Sequence, residues 1–277
     1  MFANKYLLAN KLGNGSFGNV YVVKDLKTEQ YKACKIVNNY HNGKDRTTRI
    51  SDEIKICNEM SFIPEVSKII DVCYDDTSTY LIQELYSGGT FYENKNWFYK
   101  NPILITKYIY KLTLFLNECH KKNIVYADIK PTNLMFDNHE NKNMRIIDFG
   151  CSSYINDVSK YKSIISGSLL YMAPDVINRQ LSLKADSWSL GILIYFIYTK
   201  KYPFWDINNI ENLSKNLSKE DIINGIRNNN IIINEDIPSN AMDLITKLLN
   251  RNIEDRISIS DALYHDYFKS FYLDFCI

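Results

Sequence analysis

The 277-residue sequence has no long apolar run and almost no net charge. Its longest apolar stretches, such as Leu190–Tyr198, are too short to cross a bilayer as a helix. The first residues lack a basic segment followed by an apolar one, so no signal peptide is expected. Lys and Arg number 33 against 32 Asp and Glu, so the overall charge gives no electrostatic basis for binding nucleic acid.

Cysteine is also sparse, and its spacing excludes several kinds of site. The six cysteines, at positions 34, 57, 73, 119, 151 and 276, include no C-x-x-C pair. We therefore expect reduced thiols and an intracellular location, in the cytoplasm, the nucleus or both. The length suits one large domain or two small ones, and the hydrophobic content of 45% is that of an ordinary globular protein.

The first third of the chain has the pattern of strands around a single helix. Short runs rich in β-forming residues predict strands, and Thr47–Met60 repeats apolar residues at helical spacing. A break follows at Ser87-Gly88-Gly89. The predicted strands are Leu7–Gly13, Asn19–Lys24, Tyr31–Val37 and Thr79–Leu85.

Beyond the break the pattern is mostly helical. Pro102 precedes a broad apolar face, and Leu183–Tyr198 is apolar nearly all round, which indicates a buried central helix. Asparagine runs such as residues 228–230 indicate surface loops. The predicted helices are Ile103–Cys119, Leu183–Tyr198, Ala241–Leu249 and Ser258–Phe268.

Three glycines near the N-terminus follow the pattern G-x-G-x-x-G at residues 13–18. Dinucleotide-binding folds use the same pattern, but there it leads into a helix, whereas here Val20–Val23 has the pattern of a strand. The glycines would then lie between two strands, where backbone N–H groups can approach phosphate oxygens. A simple glycine-rich turn is the alternative for this motif taken alone.

Two charged residues further along can serve the same phosphates. Lys35 lies on a predicted strand and can reach α- and β-phosphates as a point charge. Glu53, on the predicted helix, can pair with Lys35 and fix its ammonium group, with Glu59 as the alternative partner. A strand lysine taken alone is more often simply solvated.

The densest group of polar side chains follows the first long predicted helix of the second part. Mg²⁺ prefers one or two protein oxygens together with phosphate oxygens, and Asn133 and Asp148 offer that minimum. Asp128 is then left to accept a proton from an attacking hydroxyl, and Lys130 to neutralise a transferring phosphoryl group. Any one of these residues alone is more typical of a surface turn, but the ordered set favours phosphoryl transfer.

These motifs, in this order, resemble the eukaryotic-type protein kinase domain over nearly the whole chain. The matching segments are the glycine motif, the A-x-K lysine, the helix glutamate, the catalytic loop, D-F-G, the peptide-positioning segment, the D-x-W-x-x-G helix and a late arginine. They fall at residues 13–20, Lys35, Glu53, 126–133, 148–150, 167–175, 186–191 and Arg256. The resemblance is nearest to calcium/calmodulin- and cyclic-AMP-dependent kinases, and the Asn- and Ile-rich composition fits an AT-rich genome, such as that of a protist or a large DNA virus.

The resemblance implies a mixed α+β fold, with residues 1–277 as a single kinase domain. An antiparallel-sheet lobe with one helix would occupy residues 1–84, a hinge residues 85–89 and a larger, mainly helical lobe residues 90–277. It also implies ATP between the lobes and Mg²⁺ as cofactor, with Mn²⁺ able to substitute.

The same resemblance assigns roles to individual residues. Asp128 would be the base, with Lys130, Asn133, Lys35 and Glu53 as the other catalytic residues, and Asn133 and Asp148 would be the metal ligands. Adenine would lie between Val20, Ala33 and Met135, beside the gatekeeper Gln83 and the hinge residues Glu84 and Tyr86. The full nucleotide-binding set is Leu12, Gly13, Gly15, Gly18, Val20, Ala33, Lys35, Gln83, Glu84, Tyr86, Met135 and Asp148.

The sequence departs from the family pattern in the catalytic loop, which reads Tyr126-Ala127-Asp128 rather than His-Arg-Asp, and at Asp175. The change of His to Tyr126 is tolerated within the family. Ala127 stands where many kinases carry an arginine that pairs with an activation-loop phosphate, so we expect a non-RD kinase that does not need that phosphorylation. Asp175 replaces the glutamate that pairs with the late arginine. Since Asp is only one methylene shorter, we expect the pair with Arg256 to persist.

The expected partners are protein substrates with Ser or Thr acceptors, because Lys130 and Ser168 match the Ser/Thr-specific pattern. Leu169 and Met172 would line the site for the residue after the acceptor, which favours an apolar residue there. No nucleic-acid or membrane partner is expected, and a regulatory partner or a homodimer is left open. Kinases that select arginine-containing substrates hold glutamates at positions that are here Thr90, Thr132 and Phe196. We therefore expect no strong preference for basic substrates.

The residues favour an active kinase over two alternatives. A pseudokinase, acting as a scaffold or an allosteric partner, is disfavoured because Lys35, Asp128, Asn133 and Asp148 are all present. A small-molecule kinase of similar fold is disfavoured by the segment 167–175, whose role in the family is to hold a peptide.

Overall fold

A computed structural model describes residues 4–14, 18–98, 101–140, 142–156, 169–205 and 217–269. The chain forms two units. The first unit comprises the described residues within 1–90 and 134–152, and the second comprises those within 91–133 and 153–277. The segment 134–152 therefore belongs to the first unit although it follows the start of the second. The lobe limits expected from the sequence, at residues 84 and 90, stay predictions.

The first unit is built on a five-stranded antiparallel sheet with the order β1-β2-β3-β7-β6. Its strands are Tyr6–Asn14 (β1), Asn19–Asp25 (β2), Tyr31–Asn38 (β3), Ile69–Tyr74 (β6) and Ser78–Gln83 (β7). Two further antiparallel pairs join Tyr40–His41 (β4) to Lys44–Asp45 (β5) and Leu134–Phe136 (β9) to Met144–Ile146 (β10). Four strands of the main sheet lie where the sequence predicts them, whereas β6 is not among the predicted strands, and β7 ends at Gln83 rather than at Leu85.

Alternation along the strands divides the side chains of the sheet between two faces. Cys34 of β3 and Ile82 of β7 are register partners on one face. They belong to a buried cluster with Tyr6, Val23 and Cys73. Ala33 and Lys35, the neighbours of Cys34 on β3, project from the opposite face.

Helix α1 spans Thr47–Met60, which confirms the predicted helix. Most of its buried residues are apolar, namely Ile50, Ile56, Cys57 and Met60, but Glu53 is buried with them. A carboxylate on the buried side of a helix needs a partner, because an unpaired buried charge is strongly destabilising. The fold of the first unit therefore requires a cation close to Glu53.

The second unit is mainly helical, which confirms the mixed α+β class. Its helices are Lys95–Phe98 (α2), Pro102–Lys121 (α3), Pro174–Ile177 (α4), Lys184–Thr199 (α5), Lys219–Asn228 (α6), Ser239–Leu248 (α7) and Ile259–Ala262 (α8). A short antiparallel pair joins Ile124–Val125 (β8) to Ser153–Tyr154 (β11). Helix α3 begins at Pro102 because the side chain of Asn101 accepts a hydrogen bond from Leu104 N at 3.1 Å. Helix α5 is buried along nearly its whole length, as predicted for a central helix.

Two sequence predictions in this unit need correction. Helix α6 is not among the predicted helices, although Ser218 and Asp221 form a capping box at its start, which is a signal that the sequence carries. The predicted helix Ser258–Phe268 is wrong, because α8 ends at Ala262 and a separate 3₁₀ turn covers Asp266–Phe268. His265 caps the 3₁₀ turn, because its ring accepts a hydrogen bond from Tyr267 N at 3.1 Å. The extended backbone of His265 separates this turn from α8.

No helix in the described part of the chain combines the length and the apolar character that a bilayer span requires. The cysteines within the described ranges are free and buried, as expected for reduced thiols, and they are Cys34, Cys57, Cys73, Cys119 and Cys151. Burial raises the pKa of the Cys34 and Cys57 thiols to about 12, so neither is a nucleophile at neutral pH. Cys276 lies outside the described residues.

A buried ion pair joins the start of α4 to the segment before α8. Arg256 Nη2 donates to Asp175 Oδ1 at 2.7 Å, and the same guanidinium donates to the carbonyls of Asn250 and Lys184 at 2.8 and 2.9 Å. Its central carbon lies 5.2 Å from the ring centre of Trp188. The predicted pair is therefore present despite the shorter aspartate. Within the described residues, Asp175 Oδ2 is buried without a hydrogen-bond partner.

We expect Arg256→Ala to destabilise the protein, because the Asp175 carboxylate would stay buried without its cation. The free energy of unfolding should fall by roughly 3–5 kcal/mol, as measured by urea denaturation. Arg227→Ala is the matched control, because Arg227 is exposed and donates only to the side chain of Asn178 among the bonds seen here. We expect that control to stay within roughly 0.5 kcal/mol of the wild type. An Arg256→Ala variant as stable as the wild type would contradict the structural role of the pair.

Candidate active site

The ammonium group of Lys35 lies between two carboxylates of the first unit. Its Nζ is 2.5 Å from Glu53 Oε1 of α1 and 2.8 Å from Asp148 Oδ1. The side chains of Lys35 and Glu53 are only 6% and 8% exposed, so water solvates both charges poorly. The Lys35–Glu53 pair that the sequence predicts is present, and it supplies the cation that the buried carboxylate of α1 requires.

Two carboxylates around one ammonium group fix its protonation. Burial by itself would lower the pKa of Lys35, but the negative charges of Asp148 and Glu53 outweigh it and raise the pKa above its ordinary value. Burial raises the pKa of Glu53, and the charge of Lys35 opposes that increase. Lys35 is therefore a fixed positive charge at neutral pH, suited to an anionic ligand such as a phosphate.

Strand register puts further predicted nucleotide-binding residues on the sheet face of Lys35. Lys35 pairs with Val20 of β2, and Ala33 pairs with Gln83 of β7. Gly13, at the end of β1, pairs with Val20. Residues paired across antiparallel strands share a face, and so do residues two apart on one strand. One face of the sheet thus carries a row of predicted ligand contacts beside a fixed positive charge.

The glycines of the motif differ in their surroundings. A Cβ on Gly18 would lie 2.1 Å from the carbonyl oxygen of Ile36, so packing against β3 by itself requires glycine there. A Cβ on Gly13 would meet no described atom within 4 Å, so packing does not explain that glycine. Leu12, beside it, is 53% exposed, and Gly15 lies outside the described residues. Packing therefore accounts for Gly18, while the phosphate role of Gly13 stays a prediction.

The residues predicted to contact adenine outside the main sheet also belong to the first unit. The hydroxyl group of Tyr86 lies 3.1 Å from Glu84 Oε2 and 3.2 Å from Ser67 Oγ. Burial raises the pKa of Tyr86 to about 12, so the hydroxyl stays protonated. Met135 of β9 forms an antiparallel bridge with Thr90. These contacts fix the chain on both sides of the predicted hinge within one unit.

The loop that follows β8 holds the other predicted catalytic residues, in the second unit. Lys130 Nζ lies 3.0 and 2.8 Å from the two carboxylate oxygens of Asp128. Asn133 Nδ2 donates to the backbone carbonyl of Asp128 at 2.9 Å and to its Oδ2 at 2.7 Å. Asp128 is only 4% exposed. The structure thus brings Asp128, Lys130 and Asn133 into one hydrogen-bonded group, in which charged and amide donors hold the carboxylate.

The two predicted metal ligands have the right donor atoms. Because Asn133 Nδ2 faces two oxygens of Asp128, the amide oxygen Oδ1 is the atom left for a cation. Asp148, in the first unit, offers a carboxylate whose Oδ1 accepts from Lys35 at 2.8 Å and from Gly150 N at 2.9 Å. Amide and carboxylate oxygens are ligands that Mg²⁺ accepts from proteins, so both residues fit the group chemically.

Asp186 holds the backbone of the predicted catalytic loop, a role that sequence analysis does not assign. Its fully buried carboxylate accepts from Tyr126 N at 2.9 Å and from Ala127 N at 2.8 Å, and it lies 3.0 Å from His120 Nε2. Ala127 has a φ of +63°, a left-handed conformation that costs a residue with a side chain about 1 kcal/mol. The D-x-W-x-x-G motif marks Asp186, but no sequence spacing relates it to Ala127, because the contact exists only in the folded unit.

Comparisons with known proteins all point to one family. The family model described as protein kinase domain matches residues 6–268. The chain is 32% identical to calcium-dependent protein kinase 5 of Plasmodium falciparum, over 94% of this chain and 44% of that protein. It is 29% identical to calcium-dependent protein kinase 6 of Plasmodium berghei (94% and 17%) and 27% identical to calcium-dependent protein kinase 25 of Arabidopsis thaliana (95% and 50%). The chain spans half or less of the length of these relatives.

We expect Asp186→Asn to destabilise the second unit, because an amide NH₂ group would then face a backbone N–H donor. The free energy of unfolding should fall by roughly 1–3 kcal/mol, as measured by urea denaturation. Asp236→Asn makes the same chemical change at an exposed position and should stay within roughly 0.5 kcal/mol of the wild type. Equal effects of the two substitutions would mean that the buried contacts do not hold the loop.

Proposed function

Because the chain belongs to the protein kinase domain family, we propose that it is an active serine/threonine protein kinase. It transfers the γ-phosphoryl group of Mg-ATP to Ser and Thr hydroxyl groups of protein substrates. The observation that carries this proposal is the Lys35 ammonium group held between Glu53 and Asp148. A buried lysine that stays charged is the group with which this family binds the phosphates of its nucleotide.

The chemistry of transfer assigns a role to each member of the Asp128 group. The bond between the γ-phosphorus and the β–γ bridging oxygen breaks, and a bond forms from that phosphorus to the substrate hydroxyl oxygen. Asp128 orients the hydroxyl and accepts its proton, which the bonds from Asn133 and Lys130 support by fixing the carboxylate. Lys130, beside the same carboxylate, is suited to neutralise the transferring group.

Magnesium, when bound, supplies positive charge that offsets the charge of the phosphates. Asn133 and Asp148 are the proposed ligands on the basis of their donor atoms, and Mn²⁺ can take the same oxygen ligands. The proposed nucleotide contacts are the predicted set, which is Leu12, Gly13, Gly15, Gly18, Val20, Ala33, Lys35, Gln83, Glu84, Tyr86, Met135 and Asp148.

The alternative function is that of a pseudokinase, which acts as a scaffold or an allosteric partner. The hydrogen bonds that hold the candidate catalytic residues in place favour an active kinase over a pseudokinase. Lys35 has both acidic partners, and Asp128 is held by Lys130 and Asn133. A scaffold would not need these charged side chains to be both present and positioned.

The substrate class rests on fewer observations. Leu169 is half-buried at the start of the 3₁₀ turn Leu169–Tyr171, whereas Met172 is only 7% exposed. Leu169 therefore offers the more accessible apolar surface for a residue after the acceptor. Ser168, which favours Ser/Thr acceptors, lies outside the described residues. We also propose an intracellular location. As a partner besides the substrate, we propose either a regulatory protein or a second copy of this chain.

Phosphate transfer from labelled ATP to a degenerate peptide library, with Mg²⁺ present, tests the function. We expect the wild type to label Ser and Thr peptides rather than Tyr peptides. Asp128→Asn should lower kcat by about 10²–10⁴-fold, the usual contribution of a general base, while ATP binding persists because Asp128 is not a nucleotide contact.

Asp236→Asn, the same change at an exposed position, is the control and should keep wild-type kcat. A wild type that binds ATP but transfers no phosphate would favour the pseudokinase. An Asp128→Asn variant with normal kcat would overturn the assignment of the base.

Activation-loop phosphorylation gives a second test. Ser159, Ser163 and Ser166 lie outside the described residues. We expect the triple alanine variant to keep most of its kcat, because Ala127 offers no cation to a phosphate on this segment. A loss of about 100-fold, the scale on which an ordering switch acts, would contradict this expectation.

A further inference from the structure

Arg49, on helix α1, donates two hydrogen bonds to the turn that follows Asp148. Its Nε and Nη2 lie 3.1 and 2.8 Å from the carbonyl oxygen of Gly150. Two N–H groups of one guanidinium edge therefore converge on a single oxygen. Hydrogen bonds from a charged donor are stronger than neutral ones, and the planar guanidinium fixes their direction. None of the sequence motifs includes Arg49.

The contact matters because the carbonyl group of Gly150 lies at a buried position. Gly150 is buried, and a buried carbonyl needs a donor. Glycine also restricts its own backbone less than any other residue, so the turn cannot hold its shape by local sterics alone. An outside donor of fixed geometry is what such a turn requires, and Arg49 provides it.

The same turn carries the Asp148 carboxylate. Gly150 N donates to Asp148 Oδ1 at 2.9 Å, so the two peptide groups flanking the Gly150 Cα are fixed from opposite sides, one by Asp148 and one by Arg49. Asp148 Oδ1 also accepts from Lys35, which pairs with Glu53. Glu53 lies one helical turn after Arg49 on α1. Helix α1 therefore reaches the Asp148 turn through two separate sets of bonds.

We propose that Arg49 is a positioning residue, whose bonds to the Gly150 carbonyl orient the Asp148 carboxylate for magnesium and ATP. The inference rests on the proposed kinase function for its kinetic consequence, but the hold itself belongs to the protein without ligands. All of its members, namely Arg49, Glu53, Lys35, Asp148 and Gly150, lie in the first unit. The hold on Asp148 is therefore argued from side chains and backbone groups of a single unit.

Hydrogen–deuterium exchange on the protein without nucleotide and metal tests the hold directly. In Arg49→Ala, we expect the amides of residues 150–152 to exchange at least about tenfold faster, because a strong charge-assisted contact shifts a local opening equilibrium by that order. Lys55→Ala is the matched control, because it removes a cation from an exposed position of the same helix. It should leave this exchange unchanged.

Kinetics and nucleotide binding supply the second arm. Arg49→Ala should raise the Mg²⁺ concentration needed for half-maximal ATP binding and lower kcat by about 10–100-fold. Arg49→Lys keeps the charge and can donate to the same carbonyl, so it should recover part of both losses. Lys55→Ala should match the wild type in both measurements.

The outcomes separate this inference from the proposed function. A wild type without phosphate transfer would defeat the proposed function, while faster exchange at residues 150–152 in Arg49→Ala would still support the hold. Unchanged exchange and unchanged Mg²⁺ dependence in Arg49→Ala would overturn the inference, and so would equal changes in Lys55→Ala. Should Arg49→Ala fail to fold, Arg49→Lys decides, because it keeps one donor group in place of two. Faster exchange at residues 150–152 with a raised Mg²⁺ requirement would support the positioning role, and wild-type values of both would contradict it.

Discussion

The ammonium group of Lys35 is almost removed from water, and this constrains everything around it. A buried charge is tolerated only with partners of opposite charge at short range, and here those partners come from helix α1 and from the turn at Asp148. Strand β3, the helix and the turn must therefore be in place together. The sheet alone would leave Lys35 uncompensated, and the helix alone would leave Glu53 uncompensated. The charged part of the candidate site is thus formed completely or not at all.

The second unit uses the same device at other places. Arg256 and Asp175 are 81 residues apart, and Asp186 reaches the backbone of a residue 59 positions earlier. Apolar burial by itself specifies the arrangement of the helices less sharply, since apolar side chains of about the right volume can pack in several ways. A buried charge accepts far fewer arrangements. Both units therefore take their registration from a few polar contacts set within an apolar core.

Local patterns were sufficient to predict much of this structure. Periodicity gives α1, because Ile50, Cys57 and their neighbours repeat at helical spacing, and the glycine motif with its flanking β-formers gives β1 and β2. The Lys35–Glu53 pair is a candidate from the residues, with Glu59 as the alternative, and the resemblance to a family selects Glu53. The Asp175–Arg256 pair is predictable only through that resemblance. Strand β6 is harder to predict, because Cys73 is its one buried residue, Ile70 and Tyr74 are exposed, and Asp71 interrupts the apolar run.

The remaining features depend on contacts between distant segments. The return of residues 134–152 to the first unit has no local signature, because two three-residue strands are too short to show a period. The contacts of Asp186 and Arg49 are directed at backbone groups, which every residue possesses, so side-chain identity along the sequence does not reveal them. Helix α6 is different, because the Ser218–Asp221 capping box that would have predicted it is present in the sequence and was missed.

The left-handed backbone of Ala127 has a consequence for the order in which the molecule matures. A free peptide with this loop's sequence would avoid that conformation, because alanine has no local means of stabilising it. The stabilising carboxylate belongs to α5, which leaves the ribosome well after the loop does. A nascent chain that already contains residues 126–133 thus still lacks the contact that holds this backbone, and the loop acquires its native conformation only as a late product of long-range folding.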